Sequence, residues 1–396
     1  MNVIVTLEYR FDRTPDGRVW TQTTFPYSFW MRYLEVFDSV LVVARVGDVP
    51  TLPTDWKQAD GEQVSFATIP YYIGPWQYLL KAWQVQQAAK NSVGNRDAVI
   101  LRVGSMIASH IQPMLRQTGH PYAVEVVADP YDVFAPGSVN SPLRPFLRWY
   151  SPRQLRHQCL EASAAAYVTQ DALQKRYPCL NFSIGVSDVE LGEETFVTQP
   201  RYYQEKIAPF TLIFVGTMAQ LYKAPDVLIN AVAVCVRDGL DIQLILIGNG
   251  QYREELEAQA QALGIGKRVI FLGQLQAGEV VKSQLDKADV FILPSHQEGL
   301  PRAMVEAMAR ALPCIGSTVG GIPELLQHED LVRPGDATAL ASKIREVVTD
   351  PERMARMSAR NLNKAKEYTD EVLHSKRNAF YRYVREQTEA WIDRKR

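Results

Sequence analysis

Short apolar runs alternate with helix-period patterns along almost the whole chain, an arrangement that predicts parallel sheets joined by crossover helices. In the first half the strand candidates are Val3–Leu7, Val40–Ala44, Val64–Ile69, Ala98–Val103, Tyr122–Val127 and Ala165–Val168. Helical stretches such as Trp76–Ala89 and Ser151–Ala162 lie between them. The second half is more regular: Thr211–Val215, Ile242–Ile247, Val269–Leu272, Val290–Leu293 and Pro313–Gly316 are each followed by an amphipathic pattern, the repeat of a βαβ unit. Polar residues and two prolines interrupt the rhythm between Leu191 and Pro209. The expected division is a Rossmann-like domain over 1–192, a linker over 193–208, and a second Rossmann-like domain over 209–369. The remaining segment, 370–396, has no glycine or proline and repeats Val372, Phe380, Tyr383, Val384 and Trp391 at helical spacings. It is expected to be one helix crossing back onto the first domain. Two doubly wound domains bind ligands at the carboxyl ends of their strands, so functional residues are sought in strand-to-helix loops.

Composition narrows the class. A chain of 396 residues can bury two cores, and 46% hydrophobic with 22% charged residues suits a globular protein. Lys and Arg number 43 against 44 Asp and Glu, a net charge of -1, which argues against a nucleic-acid partner. Cys159, Cys179, Cys235 and Cys314 form no C-x-x-C pair, and they are read as structural thiols in a reducing compartment. The apolar start Val3–Leu7 is too short for a secretory h-region, and no run approaches the ~20 residues that cross a bilayer. A cytoplasmic or peripheral protein is expected.

The strongest chemical signal is Pro294-Ser295-His296-Gln297-Glu298-Gly299-Leu300-Pro301, leading into the helix RAMVEAMARA. A strand ends at Leu293, and Pro301 opens the helix, where its missing N–H costs nothing. Backbone N–H groups at Gly299 and Leu300 would point out of a helix N-terminus, a ready site for a diphosphate. Glu306, with seven residues between it and Glu298, can accept from paired ribose hydroxyls, and Glu298 at the loop tip would face a transferred sugar.

The E-x7-E pattern from Glu298 to Glu306 resembles the group 1 glycosyltransferases, a retaining family (family 4) with the GT-B fold. The resemblance covers about Thr211 to Thr369 and draws on further motifs in the same order. Gly216-Thr217-Met218 with Lys223 looks like the family's phosphate loop. Gly248-Asn249-Gly250 is similar to its G-x-G turn, and Val269–Gly273, continuing into Gln274, to the strand beside the nucleobase. Gly320-Gly321-Ile322-Pro323-Glu324 looks like its donor-side glycine loop. Each is weak alone; five in order on strand-to-helix junctions are not.

The resemblance implies two α/β Rossmann-like domains facing each other across a cleft, and transfer from a nucleotide-diphosphate sugar to a polysaccharide, glycolipid or other hydroxyl acceptor. It implies that Lys223 neutralises the leaving diphosphate, that Glu306 holds the ribose, and that Glu298 contacts the sugar. The implied donor set is Gly216, Thr217, Lys223, Gly248, Asn249, Gly273, Gln274, Glu298, Gly299, Leu300 and Glu306, with N–H groups of Gly321 and Ile322 added. Two positions depart from the pattern. Thr217 stands where many members carry an arginine on the diphosphate, with Arg302 and Lys282 as nearby bases that would compensate, and Ala224 replaces the glycine after the lysine. No D-x-D occurs, and Lys223 with a helix N-terminus supplies positive charge, so neither a metal nor another cofactor is expected.

The first half matches the family loosely. Gly17, in the stretch Tyr9–Phe25 read as a loop, either lets backbone approach the donor phosphate or is a turn glycine. Asp129 and Asp132 follow a strand and either orient an acceptor hydroxyl or shape a turn. The segment 143–157 carries Arg144, Arg148, Arg153 and Arg156 among Phe146, Trp149 and Tyr150, with no acidic residue. It is read either as a docking patch for an anionic membrane with a lipid-linked acceptor or as a solvated face. His296 either touches the sugar or structures its loop. The competing readings are a non-catalytic nucleotide-sugar-binding protein and a sugar-nucleotide epimerase on the same fold.

Overall fold

The computed structural model describes residues 1–22, 24–53, 55–135, 141–189, 191–204, 209–276 and 278–396. Its first sheet is built from β1 (Asn2–Arg13), β2 (Val19–Thr21), β3 (Ser39–Asp48), β4 (Lys57–Gln58), β5 (Val64–Ile69), β6 (Ala98–Val103), β7 (Ala123–Val126), β8 (Ala164–Tyr167) and β9 (Phe182–Gly185). The second holds β10 (Phe210–Val215), β11 (Ile242–Ile247), β12 (Val269–Gly273), β13 (Val290–Leu293), β14 (Cys314–Ser317) and β15 (Leu331–Val332). In the first sheet β5-β3-β1-β6-β7-β8-β9 are parallel neighbours, and β2 and β4 extend it antiparallel from the far end of β1. The second sheet is parallel throughout, in the order β12-β11-β10-β13-β14-β15. Each order reverses once, between β1 and β6 and between β10 and β13, and such reversals open a ligand crevice. The chain thus has the two doubly wound domains that the alternation of runs implies.

The strands that were easiest to foresee are those buried on both faces. Every residue of β6, β7, β8 and β13 is buried, which is why they read as largely apolar runs, interrupted only by Arg102 in β6 and Glu125 in β7. The first strand departs from expectation. It does not end at Leu7 but continues past an irregularity between Thr6 and Arg10 to Arg13, then returns as β2. Phe11 anchors the extension, buried against Phe66 at 4.8 Å between ring centres. Tyr9–Phe25 is therefore a hairpin rather than a loop. Gly17 sits in its turn with φ 86°, exposed, and its N–H donates to the Thr14 carbonyl at 2.9 Å. The turn accounts for the glycine.

The helix expected from Ser151 begins seven residues earlier, as Arg144–Glu161, so the whole basic-aromatic segment is helical. Of the expected linker, residues 205–208 lie outside the described residues. The rest is pinned to the second domain by Arg201, which donates to the carbonyls of Arg310 (2.9 Å), Ala288 (2.5 Å) and Leu285 (3.0 Å).

The terminal helix, Asp370–Arg394, is capped by Thr369 and lies on the first domain. Tyr383 stacks on Phe182 at 4.7 Å, and Trp391 on His120 at 4.3 Å. Beneath it the buried Arg102 donates to Glu125 at 2.6 Å and pairs with Asp188, while Tyr33 (3.0 Å) and Tyr381 (3.3 Å) donate to the same Glu125. Burial alone would raise the Asp188 carboxyl, but Arg102 and Arg32 hold it below its ordinary value. Removing one member of such a network strands a buried charge.

Candidate active site

The loops after β10, β11 and β12 are laced by backbone. Gly216 N–H donates to Ile247 O, Gly248 N–H to Gly273 O, and Met218 N–H to Asn249 O, each at 2.9 Å. A Cβ on Gly248 would overlap the Gly216 carbonyl, and one on Gly250 would overlap the Ala219 nitrogen. Both glycines are therefore dictated by close approach. A Cβ on Gly216 would strike the Lys223 stem, so this glycine gives the lysine its path. The lysine ends a tight turn, Leu221–Lys223, after which Ala224 adopts φ 55°, ψ 47°. That left-handed geometry explains why glycine is usual there. Alanine costs about 1–2 kcal/mol of strain, partly offset here because its methyl group is fully buried.

Lys223 Nζ meets Glu298 Oε1 at 2.7 Å, and Ser295 Oγ donates to the same oxygen at 2.9 Å. Both charged side chains are largely buried. The pair joins the loop after β10 to the loop after β13, at the point where the second sheet reverses. His296 fastens the same two loops, its N–H donating to Tyr222 O at 2.7 Å while its side chain is exposed.

Behind Glu298 the chain enters the helix Arg302–Ala309 with Pro301 at its N-cap. Among the described residues, the N–H groups of Gly299, Leu300, Arg302 and Ala303 donate to no protein acceptor. Such a helix end favours an anion. Glu306 lies one turn beyond Arg302. Burial pushes its carboxyl up and Arg302 pulls it down, and among the described residues it accepts no hydrogen bond. Thr217 accepts from Ala219 N–H at 3.1 Å, closing its own turn. Asn249 accepts from Gly250 N–H at 2.9 Å, and Gln274 lies exposed beyond Gly273. Lys282 pairs with Glu279 on its own helix.

The glycine loop after β14 corrects one expectation. Gly321 N–H donates to Gly299 O at 2.6 Å and Ile322 N–H to Val319 O at 3.1 Å, so neither is available to a sugar or phosphate. A Cβ on Gly320 would overlap the Glu298 carbonyl. These glycines shape the Glu298 loop rather than bind. Glu324, at the end of the same motif, reaches across to the first domain. It accepts from Gln170 N–H (2.6 Å), Asp171 N–H (3.0 Å) and Ala172 N–H (2.7 Å). It caps the helix Ala172–Arg176 and closes the interface beside Gly299, whose Cβ would lie 3.2 Å from Val127 O.

The first domain holds its own carboxylate at its own reversal point. Glu8 accepts from Ser105 Oγ (2.9 Å), Met106 N–H (3.0 Å) and Ile107 N–H (3.4 Å), filling the N-terminus of the helix Met106–Thr118. Tyr72 donates to it, and Arg45 lies 3.4 Å away. Sequence reading passed over Glu8; the one signal was a carboxylate directly after an apolar strand. Asp129 is also corrected. It accepts from Tyr131 N–H at 2.9 Å and from Arg176 and Tyr177, so its carboxylate shapes its own turn and is not left to orient an acceptor. Asp132 is half-buried, with burial and then the neighbouring Asp129 charge pushing its carboxyl up. Among the described residues no three His, Cys, Asp or Glu side chains gather as a metal set would.

Comparison with known proteins places this arrangement. The family described as Glycosyl transferases group 1 matches residues 199–364. Protein CapJ of Staphylococcus aureus is 29% identical over 81% of this chain and 80% of its own length. The N-acetyl-alpha-D-glucosaminyl L-malate synthase of Bacillus anthracis is 34% identical over 38% of this chain and 39% of its own. Among solved structures, Anabaena Alr3699/HepE in complex with UDP and glucose is similar with a TM-score of 0.63 at 16% identity, covering 95% of this chain and 98% of that one. That likeness gives the fold, GT-B. The matched segment begins within the linker and contains every donor-side motif from Gly216 to Glu324; over that segment the chain is similar to the group 1 glycosyltransferases.

Proposed function

We propose that the protein transfers a sugar from a nucleotide-diphosphate donor to a hydroxyl acceptor, with retention and without a metal ion. The observation that carries the reading is the Lys223–Glu298 pair lying beside a helix N-terminus where, among the described residues, the N–H groups of Gly299, Leu300, Arg302 and Ala303 donate to no protein acceptor. When the bond from the sugar C1 to the diphosphate oxygen breaks, its electron pair goes to the diphosphate. Lys223 and the N–H groups of Gly299 and Leu300 are placed to stabilise that growing charge. Glu298 then turns from lysine to sugar hydroxyls, and Glu306 accepts from the ribose. The acceptor oxygen bonds to C1 on the same face while its proton passes to the departing diphosphate oxygen, so the step needs no protein nucleophile. Asp132 is the acceptor-side candidate left in the first domain. UDP and glucose bound to Alr3699/HepE support a nucleoside diphosphate and a sugar as ligands here. The four free cysteines suit a reducing compartment, hence a cytoplasmic site of action.

Thr217, in place of a second cation, favours one other reading, a nucleotide-sugar-binding protein without turnover. Release of nucleoside diphosphate from UDP-, GDP- and ADP-sugars in excess chelator, compared with Glu306→Ala, tests both. Release lost in the variant supports a metal-independent transferase. Release that needs added Mg2+ or Mn2+ removes the metal-independent part. A donor that raises the melting temperature but is never consumed, even with saccharide and lipid acceptors supplied, favours the binding protein. Conversion of the donor to a new sugar nucleotide without acceptor indicates an epimerase.

A further inference from the structure

The helix Gly74–Asn91 presents an apolar stripe to solvent. Trp76, Leu79, Leu80 and Trp83 fall at i, i+3, i+4 and i+7, one helix face. That face points outward: Trp76 is 75%, Leu80 88% and Trp83 73% exposed. The inward side is carried instead by Val85 and Ala89. The second helix, Arg144–Glu161, repeats the device. Phe146, Trp149, Tyr150 and Arg153 share its outer face, with Phe146 stacked on Tyr150 at 5.6 Å and the Arg153 guanidinium 4.6 Å above the Trp149 ring. Both helices pack against the helix Met106–Thr118, Tyr78 of the first bonding to His110 at 2.9 Å and Glu161 of the second accepting from Gln112 at 2.7 Å. Of the large apolar side chains exposed among the described residues, most lie between Ile73 and Tyr150. A cluster this large marks an interaction site.

Charge selects the partner. The helix Gly74–Asn91 carries Lys81 and Lys90 and no acidic residue; the segment 143–157 carries four arginines and none. This lies within a chain of net charge -1. A second copy meeting this face symmetrically would set these cations against their own image, with no carboxylate within 74–91 or 143–157 to neutralise them. An anionic bilayer meets every requirement: headgroups for the cations, and an interfacial layer where tryptophan settles. Among the described residues no helix is long and apolar enough to cross a membrane.

We propose that Gly74–Asn91 and the basic-aromatic helix Arg144–Glu161 form one docking surface for an anionic lipid bilayer, with Trp76, Leu79, Leu80 and Trp83 entering the interface. Resting on the transferase reading, the acceptor it serves is a lipid-anchored hydroxyl compound. The helix Gly74–Asn91 follows the carboxyl end of β5, and Arg144–Glu161 follows that of β7. The carboxyl ends carry the cleft, so docking sets the mouth of the cleft against the bilayer.

The test is flotation of the full chain with vesicles of phosphatidylcholine alone and with about a third phosphatidylglycerol, read together with tryptophan emission. The wild type is expected to float with anionic vesicles, with emission shifted to the blue, and to be released as salt is raised. The variant Trp76→Ala/Leu80→Ala/Trp83→Ala is expected to lose partitioning at least tenfold, while donor-induced thermal stabilisation stays unchanged as its check of folding. Failure of the wild type to bind anionic vesicles, or equal binding by the triple variant, overturns the proposal. So does concentration-dependent self-association that the variant abolishes without any vesicle binding. Because flotation needs no turnover, vesicle binding without donor turnover sinks the transferase reading and leaves docking intact. Turnover on soluble acceptors without flotation does the reverse.

Discussion

The two sheets reverse at equivalent points, yet the crevices there are furnished in opposite ways. In the second domain β10 gives way to Gly216, and a cation, Lys223, meets a carboxylate from the neighbouring loop at 2.7 Å. At the adjoining helix N-terminus the N–H groups of Gly299, Leu300, Arg302 and Ala303 donate to no protein acceptor among the described residues. In the first domain the corresponding strand carries Glu8, whose carboxylate already occupies the N-terminus of Met106–Thr118. Its cation, Arg45, is fixed as well, donating to Tyr72 O at 3.0 Å and lying 4.5 Å above the Tyr72 ring. One topology offers two anion sites, and the chain closes one of them with its own carboxylate. On the transferase reading proposed above, negative charge from a donor is thereby directed to the second domain.

The largest expected effect tests the open crevice. Lys223→Ala removes the charge nearest the leaving diphosphate and is expected to lower kcat about 10²–10³-fold with the fold intact. Single-turnover rates with a saturating donor measure this, and a loss under threefold would remove Lys223 from the chemistry. Glu306→Gln is expected to weaken donor binding about thirtyfold, the loss of a charged hydrogen-bond acceptor. Its stability should move the other way. Burial raises the Glu306 carboxyl above its ordinary 4.5, so the fold binds that proton more tightly than the unfolded chain does. Stability therefore falls as pH rises through the interval above 4.5 and levels off once the group is ionised. Without donor, the variant should melt higher than the wild type at pH 7 and alike below 4.5. A variant that melts lower at pH 7 would show that the carboxylate is satisfied.

These contrasts also mark what was legible beforehand. Val290–Leu293 and the run Ala98–Leu101 stood out because strands covered on both faces are largely apolar. Glu8–Arg13 did not, since its period-two mixture of charge and aromatics resembles a polar loop until Phe11 is seen against Phe66. The motif around Glu298 located the site, but sequence does not say whether an N–H is free, and those of Gly321 and Ile322 proved engaged. Glu324 escaped notice as a functional position because its partners lie across the domain interface, more than 150 residues away in sequence. Periodicity likewise announced the helix around Trp76 without showing which stripe faces the core.

A smaller effect tests the closed crevice. Glu8→Ala leaves the Ser105 hydroxyl and two helix N–H groups without their acceptor, and about 2 kcal/mol of stability is expected to go. Donor affinity should stay within twofold. Denaturant unfolding and donor titration read the two quantities separately. A substantial change in donor affinity at constant stability would mean that this crevice also takes part in donor recognition, and the contrast between the domains would fall.

The last effect is graded with pH. His110, beside Tyr78, and His120, stacked on Trp391, are pushed below the ordinary 6.5, burial being the largest cause in each case. Lys90 adds to the lowering at His110, and Lys395 adds to it at His120 against the opposing Asp97 carbonyl. With the folded values depressed, the unfolded chain binds the protons first. Stability is thus complete above about pH 6.5 and declines as pH falls, by at most about 1.4 kcal/mol per unit for each ring. Both rings belong to the first domain, and His120 also anchors the terminal helix to it. Acid should therefore loosen that domain before the donor site. His120→Phe retains an aromatic partner for Trp391 but has no proton to gain, so its denaturation midpoint should change less between pH 7.5 and 5.5 than that of the wild type. Equal losses in both proteins would show that protonation of His120 is not coupled to unfolding and that the terminal helix is held by its other contacts alone.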